Sequence, residues 1–289
     1  MLRLTGVQPI LYKAHGFLHK RRLGTATSSE VSLTIGTDGA SYLQLNRPEV
    51  HNAFNDRVVA QIHDCIREVE RVKEKIRVLF LTSSGKSFSA GGDLNYMKEM
   101  AKASKERNVQ DALALSKMLN AVSTVSVPTV ALVQGPAFGG GVGLISVCDM
   151  AVCVKSATFS LSEVKLGLLP ATISPYVIQR IGVAQARRYF LTAERFNADT
   201  ALRIGLVHEV VDSTADLEEW RIKLRDILKQ NSPSAIAASK DLIRAVAGKA
   251  INEALMMDTA NRLADQRSSP EGIDGVTAFL EKRPAKWTI

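Results

Sequence analysis

Glu163 is the residue in this chain best suited to acid/base work. It ends the half-apolar segment Ala157-Thr158-Phe159-Ser160-Leu161-Ser162-Glu163 and precedes the turn Gly167-Leu168-Leu169-Pro170. With Phe159, Leu161, Val164 and Leu166 around it, its carboxylate is expected to be partly desolvated. Desolvation raises a carboxyl pKa toward values useful for proton transfer near neutral pH. Two glycine corners stand upstream: Phe88-Ser89-Ala90-Gly91-Gly92-Asp93-Leu94 and Phe138-Gly139-Gly140-Gly141-Val142-Gly143-Leu144. Consecutive glycines before an apolar run let the backbone approach a ligand, with N–H groups free at a helix N-terminus. The bland alternative for each corner is a tight strand-to-helix turn. Two convergent N–H donors beside one carboxylate would stabilise a developing oxyanion while a proton moves.

These residues need elements to hold them. Val31-Ser32-Leu33-Thr34-Ile35 alternates as a half-buried strand, Thr37-Asp38-Gly39 signals a hairpin, and Tyr42-Leu43-Gln44-Leu45 is the return strand. A helix is expected from Asp56 as N-cap, with Val58, Val59, Ile62, Ile66 and Val69 at helical spacing. Val78-Leu79-Phe80-Leu81 reads as a buried strand, 106–126 as a long helix, and Thr129-Val130-Ala131-Leu132-Val133 and Met150-Ala151-Val152-Cys153-Val154 as further strands. The glycine triplet opens another helix. The class is α/β. After Glu209-Val210-Val211 strand signals stop, and helices are expected over about 214–230, 233–248, 250–267 and 270–281.

The 289 residues with 46% hydrophobic content suit one large domain with an appendage. No apolar run reaches the ~20 residues of a membrane span. Cys65, Cys148 and Cys153 stand in apolar surroundings and read as reduced core thiols, and no metal-ligand spacing is present. The net charge of +8 would suggest nucleic acid, but Arg3, Lys13, Lys20, Arg21 and Arg22 all precede the first acid, Glu30. This acid-free segment with apolar residues among its bases matches a mitochondrial transit peptide; a basic tail without targeting is the alternative. The expected division is 1–28 transit peptide, 29–212 core and 213–289 helical region, with the mitochondrial matrix as destination.

The chain resembles the crotonase superfamily, the enoyl-CoA hydratase/isomerase group, over about 31–287. The resemblance rests on Leu45-Asn46-Arg47-Pro48 with Asn52-Ala53, on both glycine corners, and on Cys148-Asp149, Glu163 and Gly167 with Pro170. It extends to Glu271-Gly272-Ile273 and Phe279-Leu280-Glu281-Lys282-Arg283. It implies a spiral of ββα units, a C-terminal helical oligomerisation region forming a homotrimer or homohexamer, and an acyl-CoA substrate. No cofactor is implied, since coenzyme A is part of the substrate. The implied oxyanion donors are the N–H groups of Gly92 and Gly140, and the acid/base is Glu163. Backbone at Ala90, Gly92, Asp93 and Leu94 and the loop Glu49-Val50-His51 would meet the coenzyme. Phe279 would border the acyl pocket, and Lys282 the coenzyme phosphate, often from a neighbouring subunit; a plain surface lysine is the alternative.

One position departs from the pattern. Hydratases of the family carry two glutamates, and the first matches Gly143. Ordinary two-carboxylate hydration is therefore in doubt, and Gly143 is expected to leave empty space for substrate bulk. Glu99, Glu106 and Asp111 are candidate substitutes, though each also reads as a solvated helix charge. Gly143 and the run 162–176 make the chain similar to bacterial-type methylglutaconyl-CoA hydratases of leucine breakdown. The readings are then a hydratase of a branched or carboxylated enoyl-CoA, an isomerase using Glu163 alone, an inactive acyl-CoA binder, or an RNA-binding protein. For RNA the relevant segment is Arg67-Glu68-Val69-Glu70-Arg71-Val72-Lys73-Glu74-Lys75, whose acids nearly balance its bases and which reads as a solvated face. His51 is expected near the coenzyme, and Asp149 is expected to fix the backbone of the glycine helix.

Overall fold

A computed structural model describes residues 29–288; the transit-peptide reading of 1–28 lies outside them. β1 (Val31–Ile35) and β2 (Ala40–Leu45) form the expected antiparallel hairpin, closed by the Gly36 N–H donating to the Ala40 carbonyl at 2.9 Å. α1 (Asp56–Arg71) starts one residue earlier than the capping signal suggested. Its N-cap is Asn55, whose side chain accepts from the Val58 N–H at 2.8 Å, and Asp56 is the first helical residue. Val58, Ile62, Cys65, Ile66 and Val69 form its buried stripe.

β3 (Val78–Ser83) is buried at all six positions and runs parallel to β2, which explains its unbroken apolar start. α2 (Leu94–Met100) and α3 (Lys105–Thr124) follow, then β4 (Thr129–Val133), β5 (Ala137–Phe138) and α4 (Gly140–Val147). β6 (Met150–Val154), β7 (Thr158–Ser160), α5 (Ser174–Thr192), β8 (Phe196–Asn197), α6 (Ala198–Arg203) and β9 (Glu209–Val211) complete the core. The long strands lie in one six-stranded sheet, ordered β1-β2-β3-β4-β6-β9; β5, β7 and β8 form a second, three-stranded sheet. After β4 and again after β6 the chain steps from the large sheet into the small one. This is the ββα spiral, and the candidate site lies where those steps turn outward.

The helices α7 (Thr214–Lys229), α8 (Pro233–Val246), α9 (Glu253–Ser268) and α10 (Pro270–Glu281) follow the core, close to the expected boundaries. α8 is tied back by Lys240, whose ammonium donates to Asp149 Oδ2 at 2.7 Å and to the Val127 carbonyl at 3.2 Å. Asp149 also accepts from the Thr129 N–H and hydroxyl. The expectation for Asp149 is thereby corrected: it joins the start of β4 to α8 and does not hold the backbone of α4. In the segment considered for RNA, Arg71 pairs with Glu68 and Lys73 with Glu70. The three cysteines are buried, and burial pushes each thiol up to about 12, which leaves them inert as nucleophiles. No helix among the described residues is long and apolar enough to cross a membrane.

Candidate active site

The first glycine corner is pinned on both sides of Gly92. Ala90 N–H donates to the His51 carbonyl (2.9 Å), Phe54 N–H to Gly91 (2.7 Å), and Asp93 N–H to Phe54 (2.8 Å). Gly91 has φ +86°, and a methyl there would stand 2.7 Å from the Phe138 carbonyl oxygen, so only glycine fits. Gly92 itself is exposed, and its N–H has no hydrogen-bond partner among the described residues. Asp93 caps α2 by accepting from Asn95 and Tyr96 and pairs with Arg47 at 3.0 Å. Burial pushes its carboxyl up, but the Tyr96 and Asn95 N–H groups and Arg47 outweigh that and hold it below its ordinary value. Ala90 is half-buried, and Leu94, at the start of α2, is exposed beside the corner.

The second corner abuts the first. Gly139, at φ +48°, donates to the Ser160 carbonyl at 2.9 Å, and Gly140 opens α4 with an N–H that has no partner among the described residues. The side-chain direction of Gly140 faces the Phe54 ring at 3.1 Å and Gly91 Cα at 3.7 Å; that of Gly141 strikes the Ser89 carbonyl at 2.5 Å. A side chain begun at Gly91 would meet the Gly140 nitrogen at 3.2 Å, so the two corners lie side by side.

Glu163 reaches this place because β7 pairs with β5 and ends at Ser160; a 3₁₀ turn, Glu163–Leu166, follows. Glu163 Oε1 lies 2.9 Å from where a Gly139 side chain would begin. Oε2 is buried and has no hydrogen-bond partner among the described residues. Burial holds the carboxyl above its ordinary value, as expected, though not by all the neighbours expected. Phe159 and Leu161 are buried, whereas Val164 and Leu166 point outward. The turn ends at Gly167, φ +70°.

Gly143 corrects the sequence reading. Its missing side chain leaves no empty space: Ile173 Cγ2 stands 2.2 Å from the Cβ position and Ile173 Cβ 2.7 Å from it. Gly143 is fully enclosed, and Ile173 is 2% exposed. Neither substrate bulk nor a glutamate fits at 143 while Ile173 holds its place. Sequence reasoning passed over Ile173, as it did Phe54 and Met97, whose sulfur lies 2.9 Å from where a Gly92 side chain would begin.

The remaining predicted residues are not gathered here. α10 packs on α8, α9 and the closing turn; Phe279 is 84% exposed and Lys282 caps the helix in solvent. Glu99 and Glu106 are exposed. Asp111 is engaged by the Tyr96 hydroxyl at 2.5 Å. His51 Nδ1 lies 3.0 Å from Ser87 Oγ, in the loop that supports the first corner. The arrangement is one desolvated carboxyl and two unpartnered backbone donors, suited to moving a proton next to a carbonyl whose oxygen gains charge.

Comparison with known proteins agrees with this chemistry. Residues 36–289 match the family described as enoyl-CoA hydratase/isomerase. A short-chain-enoyl-CoA hydratase of Clostridium acetobutylicum is 30% identical over 247 residues, 83% of this chain and 90% of that one. Among solved structures, an enoyl-CoA hydratase from Shewanella pealeana superposes with TM-score 0.86 at 40% identity, covering 89% of this chain and 96% of that one. Pseudomonas aeruginosa AtuE superposes with TM-score 0.86 at 35% identity, covering 90% and 100%.

Proposed function

The chain belongs to the enoyl-CoA hydratase/isomerase family, and we propose that it adds water across the α,β double bond of an enoyl-CoA thioester, with Glu163 moving the proton. The observation that carries the proposal is the desolvated Glu163 carboxyl, whose buried Oε2 has no partner among the described residues, together with the free N–H groups of Gly92 and Gly140. With the thioester oxygen on those two donors, the carboxylate takes a proton from water as the water oxygen bonds to the β-carbon. The π electrons move onto the thioester oxygen, giving an enolate. The Glu163 carboxylic acid then returns the proton to the α-carbon, and one water has been added. Each N–H is expected to contribute about 3 kcal/mol to the enolate-like transition state.

The acyl group is the finer part of the proposal. A branched or carboxylated chain of the methylglutaconyl type, and with it a place in leucine breakdown, is supported only by the likeness of Gly143 and the run 162–176 to that group of hydratases. Room for the branch has to lie elsewhere than at Gly143. A homotrimer or homohexamer also belongs to the proposal, supported by the apolar surface of α10, where Val276, Phe279 and Leu280 are 65–84% exposed. A solution mass that is not a multiple of three would refute it.

A second reading has its own support. The α4 position one turn beyond Gly139 carries hydrocarbon from Ile173 and no carboxylate. Glu163 alone could remove a proton from C2 of a 3-enoyl-CoA and return it at C4, which is isomerisation. The test is a panel of linear, branched and carboxylated 2-enoyl-CoA thioesters with one 3-enoyl-CoA, followed at the conjugated-thioester absorbance. Loss with a 2-enoyl substrate supports hydration. Gain with the 3-enoyl substrate and no loss with any 2-enoyl substrate supports isomerisation, and silence throughout refutes both.

A further inference from the structure

We infer that Ile173 is a positioning residue for Glu163 and a selector of acyl shape: seated in the side-chain space of Gly143, it pins the far end of the Glu163 loop and closes that wall of the site with hydrocarbon. The inference rests on the proposed thioester chemistry for its second half only.

Gly139 and Gly143 are four residues apart at the start of α4, and the Gly143 N–H donates to the Gly139 carbonyl at 3.1 Å. Gly139 is the N-cap of α4, with the non-helical backbone φ +48°, ψ −116°, and this bond ties it to the first turn of the helix. Glu163 Oε1 lies 2.9 Å from the Cβ position of Gly139, and Ile173 Cγ2 and Cβ lie 2.2 and 2.7 Å from that of Gly143. The N-cap and first turn of α4 thus hold both ends of the segment that begins at Glu163 and ends at Ile173. Between these anchors Val164, Leu166, Leu168 and Leu169 are 38–71% exposed, and Pro170 is the one buried residue, so few side chains of the middle of the segment pack inward. Ile173 is buried and immediately precedes α5, which touches both α4 and the Glu163 turn.

Two consequences follow. Ile173 keeps water from reaching Glu163 along α4, which sustains the burial of a carboxyl oxygen that has no partner among the described residues. It also sets how much room a substrate has one helix turn from the proton-transfer group. A shorter side chain there would open space for a branch, and a polar one would admit a solvating group without changing the shape.

The experiment compares Ile173→Val, Ile173→Thr and Ile173→Ala. The Glu163 carboxyl is titrated by carbon-13 NMR in the ligand-free protein, its signal assigned by its loss in Glu163→Gln. Ile173→Val retains Cγ2 and is expected to titrate as wild type. Ile173→Thr, nearly the shape of valine but with a hydroxyl, and Ile173→Ala are both expected to titrate nearer the ordinary value of 4.5. Ile173→Ala is also expected to raise the kcat/KM ratio of a β-branched over a linear 2-enoyl-CoA by about 10-fold or more, the usual worth of one or two methylenes of pocket shape. If Ile173→Ala does not fold, Ile173→Thr carries the titration test. An unchanged Glu163 titration in the folded Thr and Ala variants overturns the positioning role. An equal fall for both substrates overturns the selector role. If wild type turns over none of the thioesters, the proposed function fails while the titration still decides the role of Ile173.

Discussion

Gly143→Ala adds one methyl group at the place where the structure is least able to accept it. In an ordinary helix interior the change would stabilise by about 1 kcal/mol. Here the new carbon would stand 2.2 Å from Ile173 Cγ2 and 2.7 Å from Ile173 Cβ, against about 3.5 Å for a comfortable carbon–carbon contact. Ile173 Cβ is fixed to the backbone, so no rotamer change removes both conflicts; the start of α5 has to move by roughly 1 Å. Overpacking of this kind costs about 1–3 kcal/mol, and a clash with root atoms belongs at the upper end. The expected net loss is about 1–2 kcal/mol, a fall of several degrees in Tm at about 2–4 °C per kcal/mol. The assay is thermal unfolding of wild type, Gly143→Ala, Ile173→Gly and the double variant. Ile173→Gly removes both conflicting atoms, so the double variant should be more stable than the sum of the single losses, by about 0.5–3 kcal/mol of coupling. A Gly143→Ala protein at least as stable as wild type, or strict additivity in the cycle, would refute the seating of Ile173 on Gly143.

Two other outcomes are expected. His208 Nδ1 accepts from the Ala151 N–H at 3.1 Å and faces Arg180 Nη2 at 3.3 Å, and burial, then Arg180, holds the imidazole below 6.5. The unfolded chain therefore takes up this proton first: stability is full above pH 6.5 and falls as pH drops toward the folded-state value. Urea midpoints should show that slope between pH 7 and 5, and it should flatten in His208→Asn; an equal slope in the variant would remove His208 as its source. Lys240→Met loses the donors to Asp149 and Val127 and should cost about 1.5–3 kcal/mol in denaturant unfolding, the usual worth of hydrogen bonds to charged groups; an unchanged midpoint would mean the tie does not hold α8.

The core strands were legible because β3 and β4 are enclosed on both faces and therefore carry unbroken apolar runs. The two glycine corners were legible for a related reason: Gly91 and Gly139 have left-handed backbones, and Gly141 has a carbonyl against it. Such positions exclude other residue types and so mark the sequence. The partner of Gly143 was not legible. Ile173 looks like any core isoleucine, and its contact spans thirty residues through a loop whose path the local sequence does not dictate. Absence of a side chain suggested a void, but a void in a packed interior is usually filled by a neighbour. Asp149 failed for the same kind of reason. Its residue type announced an acceptor, but its strongest donor, Lys240, comes from a helix ninety-one residues away.

The central claim is that Glu163, a desolvated carboxyl with one oxygen left without a partner among the described residues, moves the proton. The direct measurement is kcat/KM against pH on an enoyl-CoA substrate for wild type and Glu163→Gln. The carboxylate acts as the base, so wild-type activity should rise with pH along a limb centred above 4.5, the direction in which burial moves this group. Glu163→Gln should lack the limb and lose about 10²–10⁴-fold in turnover, the usual contribution of a positioned acid/base group, while still binding coenzyme A. Near-normal turnover in Glu163→Gln, or the same limb in both proteins, would contradict the account.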